Sequence, residues 1–295
     1  MLNSHHDTVR PAASYTRDPF DPVITPDGCL YGLGSNDAGA SVVSLARVFL
    51  DLHDRQLPFN LLLALTAEEE VGGENGMRAF LPMLAGEGIA INAAIVGEPT
   101  GMQPAVAERG LLVLDAVTRG VAGHAARGEG INAIYRAMTD IDRLRSFSPP
   151  IVSATLGPIG VNVTQINAGH AHNAIPDECR WVADIRTTDA YTNEQTASML
   201  QALVSPHTTL TPRSTRVRAS VIPTAHPLVQ GAVRLGGTPF VSPTTSDMSL
   251  MYDFPSLKIG PGESSRSHAA DEYILLSEID NAVESYTNLL TTLSL

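Results

Sequence analysis

The chain has 295 residues, and 19 Lys+Arg against 31 Asp+Glu leave it at −12. At about 150 residues per domain the length suggests two domains, and 43% hydrophobic against 17% charged residues supplies a real core and excludes long-range disorder. The acidic balance speaks against a nucleic-acid partner and an anionic membrane surface, and no apolar run approaches the roughly 18 residues of a spanning helix. The first stretch carries His5, His6, Asp7, Arg10, Arg17 and Asp18, which is no signal-peptide pattern. Cys29 and Cys179 are the only cysteines, too few for a disulfide scaffold or a four-cysteine zinc site. A reducing cytoplasm is the expected compartment.

In chain order, Leu2 and Asn3 lead straight into Ser4-His5-His6-Asp7, too few apolar residues to predict a strand. Residues 11–38 are rich in Pro, Asp and Gly and read as loop. Val42, Val43, Leu45, Ala46, Phe49 and Leu50 fall on one stripe of a helix over 38–52. The apolar run 59–66 reads as a buried, parallel strand, 77–84 as a helix and 93–96 as a second buried strand. This alternation indicates an α/β layer. A strand over 111–117 follows, and Ile131, Ile134, Met138, Ile141 and Leu144 have helical spacing. Strands over 161–166 and 180–185, a helix over 193–203 and alternation at Val217, Ala219 and Val221 complete a β-α-β-β-α-β order, a ferredoxin-like pattern. A helix over 226–235, a strand over 256–259 and a helix over 277–293 close the chain. The expected organisation is a discontinuous α/β domain, residues 1–108 and 221–295, interrupted by a small α+β domain at 109–220.

Motifs rich in carboxylates and histidine sit at or beyond predicted strand ends, where open α/β sheets bind ligands. In an extended segment His5 and Asp7 share a face, so Asp7 can orient a metal-bound His5; the alternative is a polar, frayed terminus. Gly32-Leu33-Gly34-Ser35-Asn36-Asp37-Ala38-Gly39 lacks the third glycine of a dinucleotide loop and the Gly-Lys-Ser/Thr of a phosphate loop. A nucleotide-binding protein is therefore the weakest reading. Asp37 is either a helix N-cap or a metal ligand on a rigid turn. Glu68-Glu69-Glu70 is either a solvated acidic run or, at the end of a buried strand, a cluster whose repulsion a cation would relieve. One carboxylate that ligates beside another that stays free is what metal-assisted hydrolysis needs. Glu98 is a turn carboxylate or a ligand, and His268 a surface histidine or a ligand. Together these side chains form a nitrogen and oxygen donor set suited to zinc or a similar ion.

In this order, Ser4-His5-His6-Asp7, Gly34-Ser35-Asn36-Asp37, Glu68-Glu69-Glu70-Val71-Gly72, Gly97-Glu98-Pro99-Thr100, Gly123-His124-Ala125, Asn173-Ala174-Ile175-Pro176, Asp184-Ile185-Arg186 and Ser267-His268 resemble the acetylornithine deacetylase / succinyl-diaminopimelate desuccinylase / carboxypeptidase G family of co-catalytic metallohydrolases. The resemblance covers essentially the whole chain and is stronger towards acetylornithine deacetylase-like members. It implies a zinc-peptidase-like mixed sheet flanked by helices, with an inserted ferredoxin-like lid and dimerisation domain. It implies two divalent ions, zinc or cobalt: Asp37 bridging them, His5 and Glu98 completing one site, and Glu70 and His268 the other. Glu69 is then the general base, because the family motif Glu-Glu-x-Gly aligns with Glu69 rather than Glu68. His124 matches the lid histidine that stabilises the oxyanion, Asn173 and Arg186 match positions near the substrate carboxylate, and Gly260 and Gly262 lie in a substrate-lining loop. Arg186 could instead form an ion pair on the sheet face, and His124 could be a turn residue.

The implied activity is removal of the acyl group from an N-acyl amino acid, with N-acetyl-L-ornithine first and N-acetylcitrulline, N-succinylornithine or a small peptide as alternatives. A homodimer through the lid is implied. Family members carry several tens of residues before the first histidine motif, and only four precede His5 here. An open sheet edge and a poorly held His5 are therefore expected. An inactive member that only binds or dimerises is the reading of a different class.

Overall fold

The computed structural model describes residues 1–293. It divides into two compact units, Met1–Glu108 together with the chain from Val221 onward, and Arg109–Ser220.

The first unit carries a seven-stranded mixed sheet in the order Ser220–Val221, Ala105–Glu108, Ser256–Lys258, Ala94–Val96, Leu2–His5, Leu63–Thr66, with Phe240–Ser242 also paired to Ala105–Glu108. Leu2–His5 runs parallel to both Leu63–Thr66 and Ala94–Val96. The two-residue period of a strand sends neighbouring side chains to opposite faces. Ile95 therefore joins Leu2, Leu257 and the helices Ala40–Leu52, Pro227–Arg234 and Leu276–Thr291 through Leu45, Val229 and Tyr286. Ala94 and Val96 instead meet Met77 of the helix Met77–Gly86 and Met248. Leu2, Leu45 and Leu257 are at most 1% exposed, and burying each such side chain is worth about 1.5–3 kcal/mol.

The N-terminal expectation fails here. Leu2–His5 is not a frayed terminus but an interior strand with all four residues buried, and His5 is 1% exposed. Two flanking parallel strands supply every ladder partner, so four residues suffice where an edge strand would need more. The predicted strand at 59–66 shortens to Leu63–Thr66, whose ladder partner is Leu2–His5. Residues 11–38 are not all loop: Cys29–Tyr31 pairs with both Val23–Ile24 and Tyr273–Leu275 in a separate three-stranded sheet.

The second unit is a four-stranded antiparallel sheet in the order Thr208–Pro212, Gly110–Arg119, Glu178–Thr187, Gly160–Ala168, with helices Ala133–Arg145 and Asn193–Leu203. The fourth strand lies beside the first, which is the ferredoxin-like arrangement. That strand is Thr208–Pro212, not the alternating residues 217–221. Its threonines are β-branched, which favours a half-buried strand without apolar alternation. The first helix turns a different face inward than Ile131 and Met138 suggested: Ala133, Ala137, Asp140 and Leu144 are buried, while Met138 is 54% exposed. Trp181, Leu112, Leu114 and Ile185 form the centre of this second core. Among the described residues no helix is long and apolar enough to cross a membrane.

Candidate active site

Three adjacent parallel strands end side by side, and each delivers a donor just at or past its carboxyl end. His5 closes Leu2–His5, the Glu68–Glu70 segment follows Leu63–Thr66, and Glu98 follows Ala94–Val96. The register places His5 opposite Thr66 and Asn3 opposite Val96, so the three segments meet at one rim of the sheet. Asp37 reaches the same point from the Gly34–Gly39 turn ahead of helix Ala40–Leu52. His268 arrives from the C-terminal loop with a positive φ of 57°.

The geometry is that of a cage. His5 Nε2 lies 3.2 Å from Asp37 Oδ1 and 3.7 Å from Glu98 Oε1. His268 Nε2 lies 3.1 Å from Glu70 Oε1 and 3.7 Å from Asp37 Oδ2. Donor atoms of His5, Asp37 and Glu98 lie within 4.8 Å of one another, and so do those of Asp37, Glu70 and His268. Asp37 therefore belongs to both groups and presents a different oxygen to each. His5, Glu69 and Glu70 form a third such group.

The electrostatics call for cations. Burial raises the Glu69 carboxyl above its ordinary range, and the neighbouring Glu98 raises it further. Burial likewise raises Glu98, Glu70 and Asp247. Burial alone would lower the pKa of His5, but its hydrogen bond to Asp37 and the charges of Glu98, Glu69 and Asp37 outweigh that and bring it to about 11. Imidazole nitrogens and carboxylate oxygens at these spacings fit divalent ions of the zinc type.

Asp7 contacts three residues of the cage, His5, Glu69 and Glu70. Its backbone oxygen lies 3.0 Å from His5 Nδ1, closer than its carboxylate at 3.5 Å. The carboxylate instead accepts the N–H groups of Glu69 and Glu70, one on each oxygen, both at 3.2 Å. The Glu68 carboxylate accepts from the backbone and side-chain N–H groups of Asn75, and Glu70 meets His268. Among the described residues this leaves Glu69 as the unpaired carboxylate of the run.

A cavity of about 220 Å³ opens beside the cage, walled by Asp37, Glu69, Glu70, Glu98 and His268 and by Thr100, Phe240, Ser242, Thr244, Thr245, Lys258 and Ser267. Gly260 and Gly262 are not in its wall; they are close-packed backbone positions. A Cβ on Gly260 would sit 2.5 Å from Ser41 Oγ, and one on Gly262 2.2 Å from Asn36 Oδ1. In the second unit, His124 and Asn173 are brought together: the ribbon Gly123–His124 pairs with Ala174–Ile175, and Asn173 O accepts from Ala125 N. Both side chains are exposed. Arg186 makes a two-pronged ion pair with Asp184, two residues along the same strand.

Sequence reasoning missed Asp247, which is 6% exposed and accepts from Thr66 Oγ1 at 3.1 Å. It also missed Lys258, which is 3% exposed and bound to Glu108 and Thr244. The available signal for Lys258 was a lysine between Leu257 and Ile259 in a predicted strand.

The model of the peptidase family M20/M25/M40 matches residues 1–292. The chain is 31% identical over 217 residues to a succinyl-diaminopimelate desuccinylase of Paracoccus denitrificans, covering 68% of this chain and 55% of that one. It is 29% identical over 297 residues to an acetylornithine deacetylase of Proteus mirabilis, covering 95% and 76%. It thus spans about half the length of the first of these relatives. A dinuclear metal-binding peptidase of the M20 family from Bacillus subtilis superposes with a TM-score of 0.70 at 14% identity, covering 98% of this chain and 79% of that chain, a likeness of fold. With the match running through every segment that supplies the cage, the chain belongs to the peptidase family M20/M25/M40.

Proposed function

We propose that the chain is a two-metal amidohydrolase that removes the acyl group from an N-acyl amino acid. N-acetyl-L-ornithine, converted to L-ornithine and acetate in arginine biosynthesis, is the proposed substrate. One observation carries the metal centre: Asp37 offers one oxygen to the His5–Glu98 group and the other to the Glu70–His268 group. Zinc or cobalt held there would supply Lewis acidity and make a water acidic near neutral pH. Glu69 takes the proton of the attacking water and returns it to the departing amine. Asp7 holds the backbone of Glu69 and Glu70 while it does so.

The 109–220 unit serves as lid and dimerisation domain. His124 stabilises the oxyanion, a role worth about 3 kcal/mol for one donor. Asn173 and Arg186 hold the substrate carboxylate, which Arg186 does by exchanging Asp184 for it. A dimer through this unit is supported by the apolar side chains it exposes, Tyr135 at 69%, Met138 at 54% and Ile166 at 51%, the last on the edge strand Gly160–Ala168. The two buried free thiols, Cys29 and Cys179, fit a reducing cytoplasm.

The substrate rests on the acetylornithine deacetylase likeness. The likeness to a desuccinylase, 31% identical over 68% of this chain, supports a second reading, removal of a succinyl group. The test is amine release by the purified chain with added zinc or cobalt, from N-acetyl-L-ornithine, N-acetyl-L-citrulline, N-succinyl-L-ornithine, N-succinyl-diaminopimelate and a dipeptide, with bound metal counted on the same sample. Two ions and turnover of the first substrate are expected. Two ions with turnover of a succinyl substrate replaces the first reading by the second. Fewer than two ions and no turnover of any of them overturns the two-metal reading.

A further inference from the structure

Glu272 is almost fully buried, at 3% exposure, and pairs with no cation among the described residues. Its carboxylate accepts three backbone N–H groups from a single turn: Gly34 N on Oε2 at 2.9 Å, and Asn36 N and Asp37 N on Oε1 at 2.9 and 2.8 Å. Its own carbonyl accepts a fourth from Gly32 N at 3.0 Å. Burying a carboxylate is costly unless strong donors surround it, and successive backbone N–H groups form such an anion-binding concavity. Here the anion is a side chain of the same protein, and the cradle it fills is the turn that carries Asp37.

The carboxylate is itself anchored. Tyr273, the next residue, pairs with Tyr31 in the small sheet. Four residues earlier in the same loop stands His268, 3.7 Å from Asp37. We propose that Glu272 is a positioning residue that locks Asp37 and His268 into one rigid unit and so preforms the ion site they share with Glu70. An amide could not replace it, because three N–H donors converge on two oxygens and a glutamine offers one acceptor oxygen. The inference rests on the two-ion reading above.

The test uses the whole chain. Zinc is titrated against a chromophoric chelator for the wild type and Glu272→Gln, the cobalt forms are compared by visible absorption, and kcat and KM are measured on the substrate turned over. The expected result is a folded variant in which one of the two ions binds at least about tenfold more weakly, with an altered cobalt spectrum and a loss in kcat rather than in KM. Two ions bound within threefold of wild-type affinity and an unchanged cobalt spectrum would overturn the role. A wild type that binds no ions would instead sink the two-ion reading. Should the variant fail to fold, amide exchange in the metal-free wild type decides: slow exchange at Asn36 and Asp37 supports the clamp, and exchange as fast as in an open loop refutes it.

Discussion

Asp7→Asn separates the chemistry of the base from the binding of metal. Each Asp7 oxygen accepts one N–H, from Glu69 and from Glu70, both at 3.2 Å. Asparagine keeps one acceptor oxygen and turns an NH2 group towards the other N–H, so a charge-assisted bond gives way to two donors that repel each other. A hydrogen bond to a charged group contributes about 1.5–3 kcal/mol. If the loss falls wholly on the placement of Glu69 in the transition state, turnover drops by about 10- to 150-fold. Metal content should stay at two ions, because the shorter approach to His5 Nδ1 comes from the backbone oxygen of Asp7, which the substitution leaves in place. The assay is initial-rate amine release at saturating zinc, with metal counted on the same protein. A rate within threefold of wild type would show that the carboxylate does not position the base. Loss of an ion would show that it acts through His5 instead.

Glu69→Gln should keep both ions and lose about 10²- to 10⁴-fold in kcat, the usual contribution of a general base; a kcat within tenfold of wild type would remove Glu69 from that role. Metal binding should strengthen with pH. In the metal-free protein His5 is raised from 6.5 to about 11, so its stabilising contribution is complete below pH 6.5 and fades as pH rises through 11, whereas ligation needs the neutral imidazole. The rise in melting temperature caused by a fixed zinc concentration should therefore grow between about pH 6 and pH 8, and a flat or falling dependence would contradict the ligand role of His5. In the second unit, the 1% exposed Asp140 carboxylate accepts from Ser205 N at 2.9 Å, Ser205 Oγ at 2.8 Å and Thr208 Oγ1 at 2.6 Å. Asp140→Ala strands those donors and should cost about 3 kcal/mol in urea unfolding; a loss under about 1 kcal/mol would mean that water replaces the carboxylate.

What the sequence determined by itself was the donor inventory and its spacing. Glu69, Glu70 and Glu98 were legible as carboxylates at the ends of short apolar runs, where an α/β sheet gathers ligands, whereas His5, Asp37 and His268 stood out only through the resemblance of their ordered motifs to a metallohydrolase family. The helices Ala40–Leu52 and Asn193–Leu203 were legible as helices, but the inward face of the first was not: Val43 and Leu50 of the expected stripe are 51% and 65% exposed, while Ser41, Ser44, Val48 and Leu52 are buried. Tertiary structure decided the rest. Leu2–His5 carries too little apolar sequence to announce a strand and becomes one because both neighbours exist. Thr208–Pro212 is a strand through its pairing with Gly110–Arg119, which no alternation advertises. The part Glu272 plays depends on residues more than two hundred positions away, and the division of Asp7 between a carbonyl for His5 and a carboxylate for Glu69 and Glu70 depends on how two strands lie beside each other. Spacing along the chain fixes which side chains share a face; which partner completes a hydrogen bond is fixed only when distant segments are brought together, and there lies the difference between a list of ligands and a site.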